Sequence, residues 1–167
     1  MIVILAAPLL IAIWAIITAY ELRKDEKHVE ERRSSVETAL AKRYDMLKKM
    51  LSTAKDHMKH EEGIFDNVIE LPRNMSVEEL NDACRKVDSL SGRFFDAAKR
   101  YPNLCKSEEF TDMQRDVDSA QQEFEVARRH YNSDVVAYNA SLSVFPAEMV
   151  ARNKQRKRYL DTEKKTA

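Results

Sequence analysis

The chain has 167 residues, room for one modest domain, and its 28 basic and 28 acidic side chains give a formal net charge of zero. With only two glycines and four prolines there are few places for a tight turn, so long helices are the natural reading. Gly63 and Gly92 are poor material for a backbone phosphate cradle, and no P-loop, Gly-x-Ser-x-Gly or Gly-x-Gly-x-x-Gly occurs, which argues against the nucleotide-binding and hydrolase classes those motifs mark.

The first element is the leader MIVILAAPLLIAIWAIITAY, residues 1–20, which carries no charged side chain. About twenty helical residues rise roughly 30 Å, the thickness of a bilayer hydrocarbon core. The stretch is therefore read as an uncleaved transmembrane anchor with the lipid bilayer as its partner. A cleavable signal would show a basic start, a shorter apolar core and a small-x-small cleavage site. Here no Lys or Arg precedes Arg23, and Ile17-Thr18-Ala19 is a poor cleavage sequence. Tyr20 stands where an interfacial aromatic belongs. Arg23, Lys24, Lys27, Arg32 and Arg33 all follow the span, so the positive-inside rule orients the N-terminus outward and the body toward the cytoplasm.

Residues 21–39 are mostly charged and read as a solvated helical stalk, with Val29 and Val36 only weakly apolar points along it. From there Leu40, Tyr44, Leu47, Leu51, Ala54 and Met58 fall three and four apart, followed by Phe65 and Val68. That is one face of a helix, expected to continue the anchor helix until Leu71-Pro72-Arg73-Asn74 breaks the pattern. Ser76-Val77-Glu78-Glu79 reads as a capping box opening a second helix. Its stripe is Val77, Leu80, Cys84, Val87, Ser91, Phe94, Ala98 and Tyr101, and Pro102 ends it. Ser107 with two acids after it opens a third helix. Its stripe runs Phe110, Met113, Val117, Ala120, Phe124, Ala127, Tyr131, Val135, Tyr138, Leu142 and Phe145. The pair Tyr-Asn recurs at Tyr131-Asn132 and Tyr138-Asn139, one heptad apart. Both tyrosines thus lie on the seam, each expected to bury its ring and rest its hydroxyl on a partner, with the asparagines on one flank. Phe145-Pro146 stops this helix, and Pro146 can open a short fourth.

The expected fold is all-α: an N-terminal transmembrane helix followed by an elongated antiparallel up-and-down bundle of three long helices and a short C-terminal fourth. The expected organisation is anchor 1–20, stalk 21–39, bundle 40–151 and basic tail 152–167. The stalk has little expected intrachain cover, which leaves room for homo-oligomers through the first helix.

The bundle resembles the LemA family, bacterial proteins with one N-terminal transmembrane helix and a helical bundle. The resemblance rests on an ordered set: Lys42-Arg43-Tyr44-Asp45, His60-Glu61 with Phe65, Tyr101-Pro102-Asn103-Leu104, Phe110, Gln114, Ala127-Arg128-Arg129-His130-Tyr131-Asn132, Tyr138-Asn139 and Phe145-Pro146. It covers roughly residues 40–150 and the leader. Lys48 and Lys49 stand where the family commonly has Pro-Asn. Asp82, Arg85, Lys86 and Asp88 stand in a region the family usually keeps rich in alanine, and the family's aromatic-proline C-terminal ending is replaced by a basic tail. The resemblance implies a membrane-attached bundle and no established enzymatic activity or cofactor. Its motif residues are expected to be structural.

Four groups of residues are candidates for chemistry. His57, His60 and Glu61 share a helix face and are the weak metal candidates. The sequence there lacks His-Glu-x-x-His and any pair of Glu-x-x-His motifs, so a solvated polar face is the simpler reading. Asp45 and Arg128-Arg129 are expected to form an ion pair between the first and third helices. Cys84 and Cys105, about 30 Å apart along a helix, are beyond disulfide reach. Cys84 is expected in the core and Cys105 in an exposed loop. The tail Arg152-Asn153-Lys154-Gln155-Arg156-Lys157-Arg158 could meet nucleic acid or anionic lipid. It lacks aromatic interleaving, and an up-and-down path leaves it tens of Å from the bilayer by helix rise. The leading functional reading is a scaffold that docks unknown protein partners. A metal protein or enzyme and a nucleic-acid binder stand as alternatives.

Overall fold

The computed structural model of the protein describes residues 2–58, 62–65, 69–143, 149 and 154–161, without the side chains of residues 2–9 and 62. Its elements are α1 (Ile2–Ala54), α2 (Glu62–Phe65), α3 (Val77–Ala98), α4 (Pro102–Cys105) and α5 (Glu108–Ser141), with no strand among the described residues. The chain is all-α, as the periodicity requires. Among the described residues no helix is long and apolar enough to cross a membrane. The part of the leader whose side chains are described, Leu10 to Tyr20, is nonetheless an exposed apolar surface: Leu10, Ile11, Ile13, Trp14, Ile16, Ile17 and Tyr20 all face out.

Local signals placed the helix starts. The Ser76 hydroxyl accepts from Glu79 N at 3.2 Å, and Ser76 N donates to Glu79 Oε2 at 2.8 Å, so the capping box is complete. Asn74 ahead of it takes the left-handed region, φ 58°, which asparagine tolerates better than most residues. The Ser107 hydroxyl accepts from Phe110 N at 3.2 Å at the start of α5. Pro102 both bars α3 from continuing and opens the one-turn α4, because its fixed φ suits a first helical position.

The end of α1 departs from expectation. The helix stops at Ala54, not near residue 70. After Met58 the next stripe position falls on Glu61 or Glu62, so a continued helix would carry a carboxylate into the core. The chain turns instead, with His57 N and Met58 N donating to Ala54 O, both at 3.0 Å. Met58 and Ile64 remain buried. The rest of this stretch is consequently a long connection, and it changes the topology.

Compactness divides the chain into two units, Met1–Arg33 with Arg129–Tyr159, and Ser34–Arg128 with Leu160–Ala167. In the first unit Glu26 acts on Tyr138 and Arg32 pairs with Asp134 at 3.1 Å, so α1 and α5 run antiparallel. In the second unit Lys42 meets Glu123, Arg43 meets Asp88, and Phe94 packs on Phe110 with ring centroids 6.3 Å apart. The short link through α4 makes α3 antiparallel to α5, and α3 therefore runs parallel to α1. The up-and-down order expected of the bundle does not hold. Only short links force neighbouring helices to be antiparallel, and residues 55–76 are long enough to run back along the bundle. Ile69 N on this return path donates to the Tyr44 hydroxyl at 2.7 Å.

The stripes were nearly right. From α1, Leu40, Tyr44, Leu47, Met50, Leu51 and Ala54 are buried. On α3 the buried line is Leu80, Ala83, Val87, Leu90, Phe94, Ala97 and Ala98. Leu90 rather than Ser91, and Ala83 rather than Cys84, face the core, because the 3–4 step can fall on either neighbour and the one without a polar atom wins. On α5 the core line is as expected except that Arg128 is buried and Ala127 only half-buried.

The stalk is packed along one line and solvated elsewhere. Leu22 and Val29 in the first unit, and Val36 in the second, are at most 4% exposed. Burying each apolar side chain of this size contributes about 1.5–3 kcal/mol. Intrachain cover, expected to be scant here, is present at these three positions.

Candidate functional site

In the second unit a buried charge cluster centres on Phe124. The Arg43 guanidinium lies 5.5 Å from its ring centroid and that of Arg128 5.8 Å. Arg43 pairs with Asp88 of α3 at 2.5 Å, with side chains 8% and 24% exposed. Arg128 pairs with Glu125, one turn back on its own helix, at 2.6 Å, and donates to the Asp161 carbonyl at 3.0 Å. The expected Asp45–Arg128 pair does not form. Asp45 and Arg129 are exposed, since Asp45 lies two residues, about 200° of helix, beyond Arg43. Asp88 is the anion the sequence reading overlooked. By sequence it is only one of four charged residues in a region the family usually keeps rich in alanine.

Segment 154–161, expected to be a solvated end of the chain, is held by side chains along its length. In the first unit Asn139 Nδ2 donates to Lys157 O and Lys157 N donates to Asn139 Oδ1, both at 2.9 Å. The Tyr131 hydroxyl donates to Arg158 O at 2.8 Å. Lys154 forms an ion pair with Glu26, and Lys157 lies 3.8 Å from the same carboxylate. In the second unit Leu160 is buried, Asp161 N donates to Asn81 Oδ1 at 2.9 Å, and Arg85 pairs with the Asp161 carboxylate at 2.9 Å. The two Tyr-Asn repeats thus have unequal tasks. Tyr131 and Asn139 grip the returning backbone, Asn132 is half-buried on the flank, and the Tyr138 hydroxyl is buried without a hydrogen-bond partner among the described residues. The lone leucine in a charged tail was the available signal that this segment packs.

Two outcomes follow. Tyr131→Phe loses about 1 kcal/mol in urea unfolding, the usual net worth of such a bond, whereas Tyr138→Phe is neutral or stabilising, since an unpaired buried hydroxyl costs about 1–3 kcal/mol. The hydrogen bond from Lys154 holds the Glu26 carboxyl below its ordinary range against the opposing effect of burial, and the charges of Lys154 and Lys157 add to it. A lowered carboxylate pKa stabilises the fold above the unfolded value, near 4.5, and that contribution disappears as pH falls below it. Protection of the 154–159 amides, taken relative to their intrinsic exchange rates at each pH, falls over this window, and Glu26→Gln removes that fall.

Each unit also carries an open groove. One of about 480 Å³ is lined by Ile69, Leu90, Arg85, Lys86 and Arg93, with Asp82 at its side. The other, about 470 Å³, lies on α1 between Tyr20 and Glu31 and is lined by Arg23, Lys24, Lys27 and His28.

Of the metal candidates, His57 is exposed, while His60 and Glu61 lie outside the described residues, as do Phe145 and Pro146. No metal-holding group of His, Cys, Asp or Glu occurs among the described residues. Tyr44 is buried, Tyr101 half-buried, and Pro102 leads α4. Both cysteines are free, Cys105 exposed and Cys84 half-buried. Burial, with Asp88 adding to it, pushes the Cys84 thiol up to about 12. Because the thiolate is the nucleophile, a maleimide modifies Cys105 in the native chain and reaches Cys84 only on unfolding.

A sequence profile of the LemA family matches residues 32–166. No curated protein matches the chain closely enough to count as a relative.

Proposed function

Because the chain belongs to the LemA family, we propose that it is a membrane-anchored helical scaffold that acts by docking other proteins at the membrane. The observation that carries this reading is the exposed apolar surface from Leu10 to Tyr20, on a helix that continues without interruption into the packed core at Leu22 and Val29. Water does not favour so many apolar side chains on one short helical stretch, and an acyl-chain environment does. Arg23, Lys24 and Lys27, which follow the span directly, support a cytoplasmic bundle in a bacterial cell membrane.

The test uses Cys105. Cells expressing the full chain are treated with a membrane-impermeant maleimide before and after lysis, and their membranes are washed with alkaline carbonate. The expected result is carbonate-resistant protein labelled only after lysis. Carbonate-soluble protein overturns the anchor, and labelling in intact cells reverses the orientation and directs the search for partners to the envelope.

A further inference from the structure

The groove on α1 has a composition that scaffolding does not explain. Tyr20, Lys24, Lys27 and Glu31 follow one another at three- and four-residue steps, with Arg23 and His28 beside them, on the side of α1 away from the buried Leu22 and Val29. Among the described residues neither Arg23 nor Lys24 has an anionic partner. The groove adjoins the exposed apolar surface directly. By helix rise, Arg23 to Lys27 lie roughly 5–10 Å beyond Tyr20, the depth of a headgroup layer outside the hydrocarbon core.

The acids nearby would repel an anion, but the fold neutralises two of them. Glu26 is met by Lys154 and Lys157, and Glu30 by Arg33. Glu31, within the groove, is shared by Lys27 at 3.6 Å and His28 at 3.5 Å. Glu21 and Asp25 remain at the edge of this face. The returning segment brings Lys154 and Lys157 to Glu26, about 9 Å along α1 from Tyr20, so cations of the tail lie within about one Debye length of the start of this face.

We infer that this juxtamembrane groove binds the phosphate headgroups of anionic phospholipids. The inference rests on the anchored reading above and names the lipid class that the anchored chain selects. Tyr20 supplies an amphipathic ring at the acyl boundary, and Arg23, Lys24 and Lys27 supply donors and charge just above it.

Trp14 is the sole tryptophan and lies about 9 Å of helix rise below Tyr20, at acyl-chain depth if the reading holds. The full chain is reconstituted in phosphatidylcholine vesicles containing equal mole fractions of either dibrominated phosphatidylglycerol or dibrominated phosphatidylcholine, and quenching of Trp14 emission is compared. The expected result is stronger quenching by the anionic lipid at the same mole fraction. The preference falls about fivefold in binding constant for each cation removed, so R23Q/K24Q/K27Q abolishes it while quenching by the neutral lipid persists. Equal quenching by the two lipids in the unaltered chain overturns the headgroup site and leaves the anchor standing. A preference that survives the triple substitution overturns the assignment to this groove. No quenching by either lipid overturns the anchored reading itself.

Discussion

Arg43→Met is expected to cost about 3 kcal/mol, the lower end of the range for breaking a buried ion pair, and to lower the melting temperature by roughly 6–12 °C for a chain of this length. The cost arises from what is left behind. Arg43 Nη1 and Asp88 Oδ1 are buried with no hydrogen-bond partner other than their mutual ion pair, so removing the guanidinium strands a carboxylate between α1 and α3. Asp88 keeps 24% of its side chain in contact with solvent, which argues for the lower end. The double variant R43M/D88L should recover to within about 1 kcal/mol of the unaltered chain, since an apolar pair of similar volume replaces a buried ion pair with little loss. Thermal and urea unfolding of the two single variants and the double variant measure the coupling. A double variant as unstable as Arg43→Met would mean that the arginine acts mainly through Phe124 and not through Asp88.

Phe124→Ala should cost about 3–5 kcal/mol, the ordinary range for emptying a buried aromatic site. Its ring is 1% exposed and is the surface on which both Arg43 and Arg128 rest. The cavity would also leave two buried guanidinium groups without their aromatic neighbour, a contact worth about 0.5–2 kcal/mol each depending on desolvation. Phe124→Leu separates the two effects. It keeps apolar volume and loses only the ring, so urea unfolding should show a loss of about 1–2 kcal/mol. If leucine proves as damaging as alanine, shape rather than burial governs the site.

The two outcomes matter for function because Phe124 joins three of the helices. Arg43 comes from α1, Asp88 from α3, and Arg128 shares α5 with the ring. Arg128 also donates to the Asp161 carbonyl, so a defect at this cluster should loosen the second half of the C-terminal segment as well. Exchange at residues 160–161 in Phe124→Ala reports that directly.

Helix identity and helix starts were readable from local chemistry. The Ser76–Glu79 box, the Ser107 cap, Pro102 as a boundary and the 3–4 stripe of α5 each depend on residues a turn or two apart, and the backbone needs nothing further to obey them. Which of two adjacent residues faces inward was readable only approximately: Leu90 and Ala83 displaced Ser91 and Cys84 because neighbouring helices, not the spacing, choose the centre of the buried face. The end of α1 could have been read from Glu61 and Glu62 interrupting the stripe.

The long-range choices were of a different kind. Nothing near Arg43 in sequence names Asp88 as its partner, just as nothing there shows that Asp45 turns away from Arg128. The pair forms where α3 packs on α1, and Ile69 of the segment between them lies back beside Tyr44. In the first unit Lys154 reaches Glu26 across a still longer separation in sequence, which turns a tail expected in solvent into a gripped segment. Local spacing decides where helices form and which face is apolar. Direction, ion-pair partners and the path of the tail depend on which apolar faces meet, and that is a property of the packed chain.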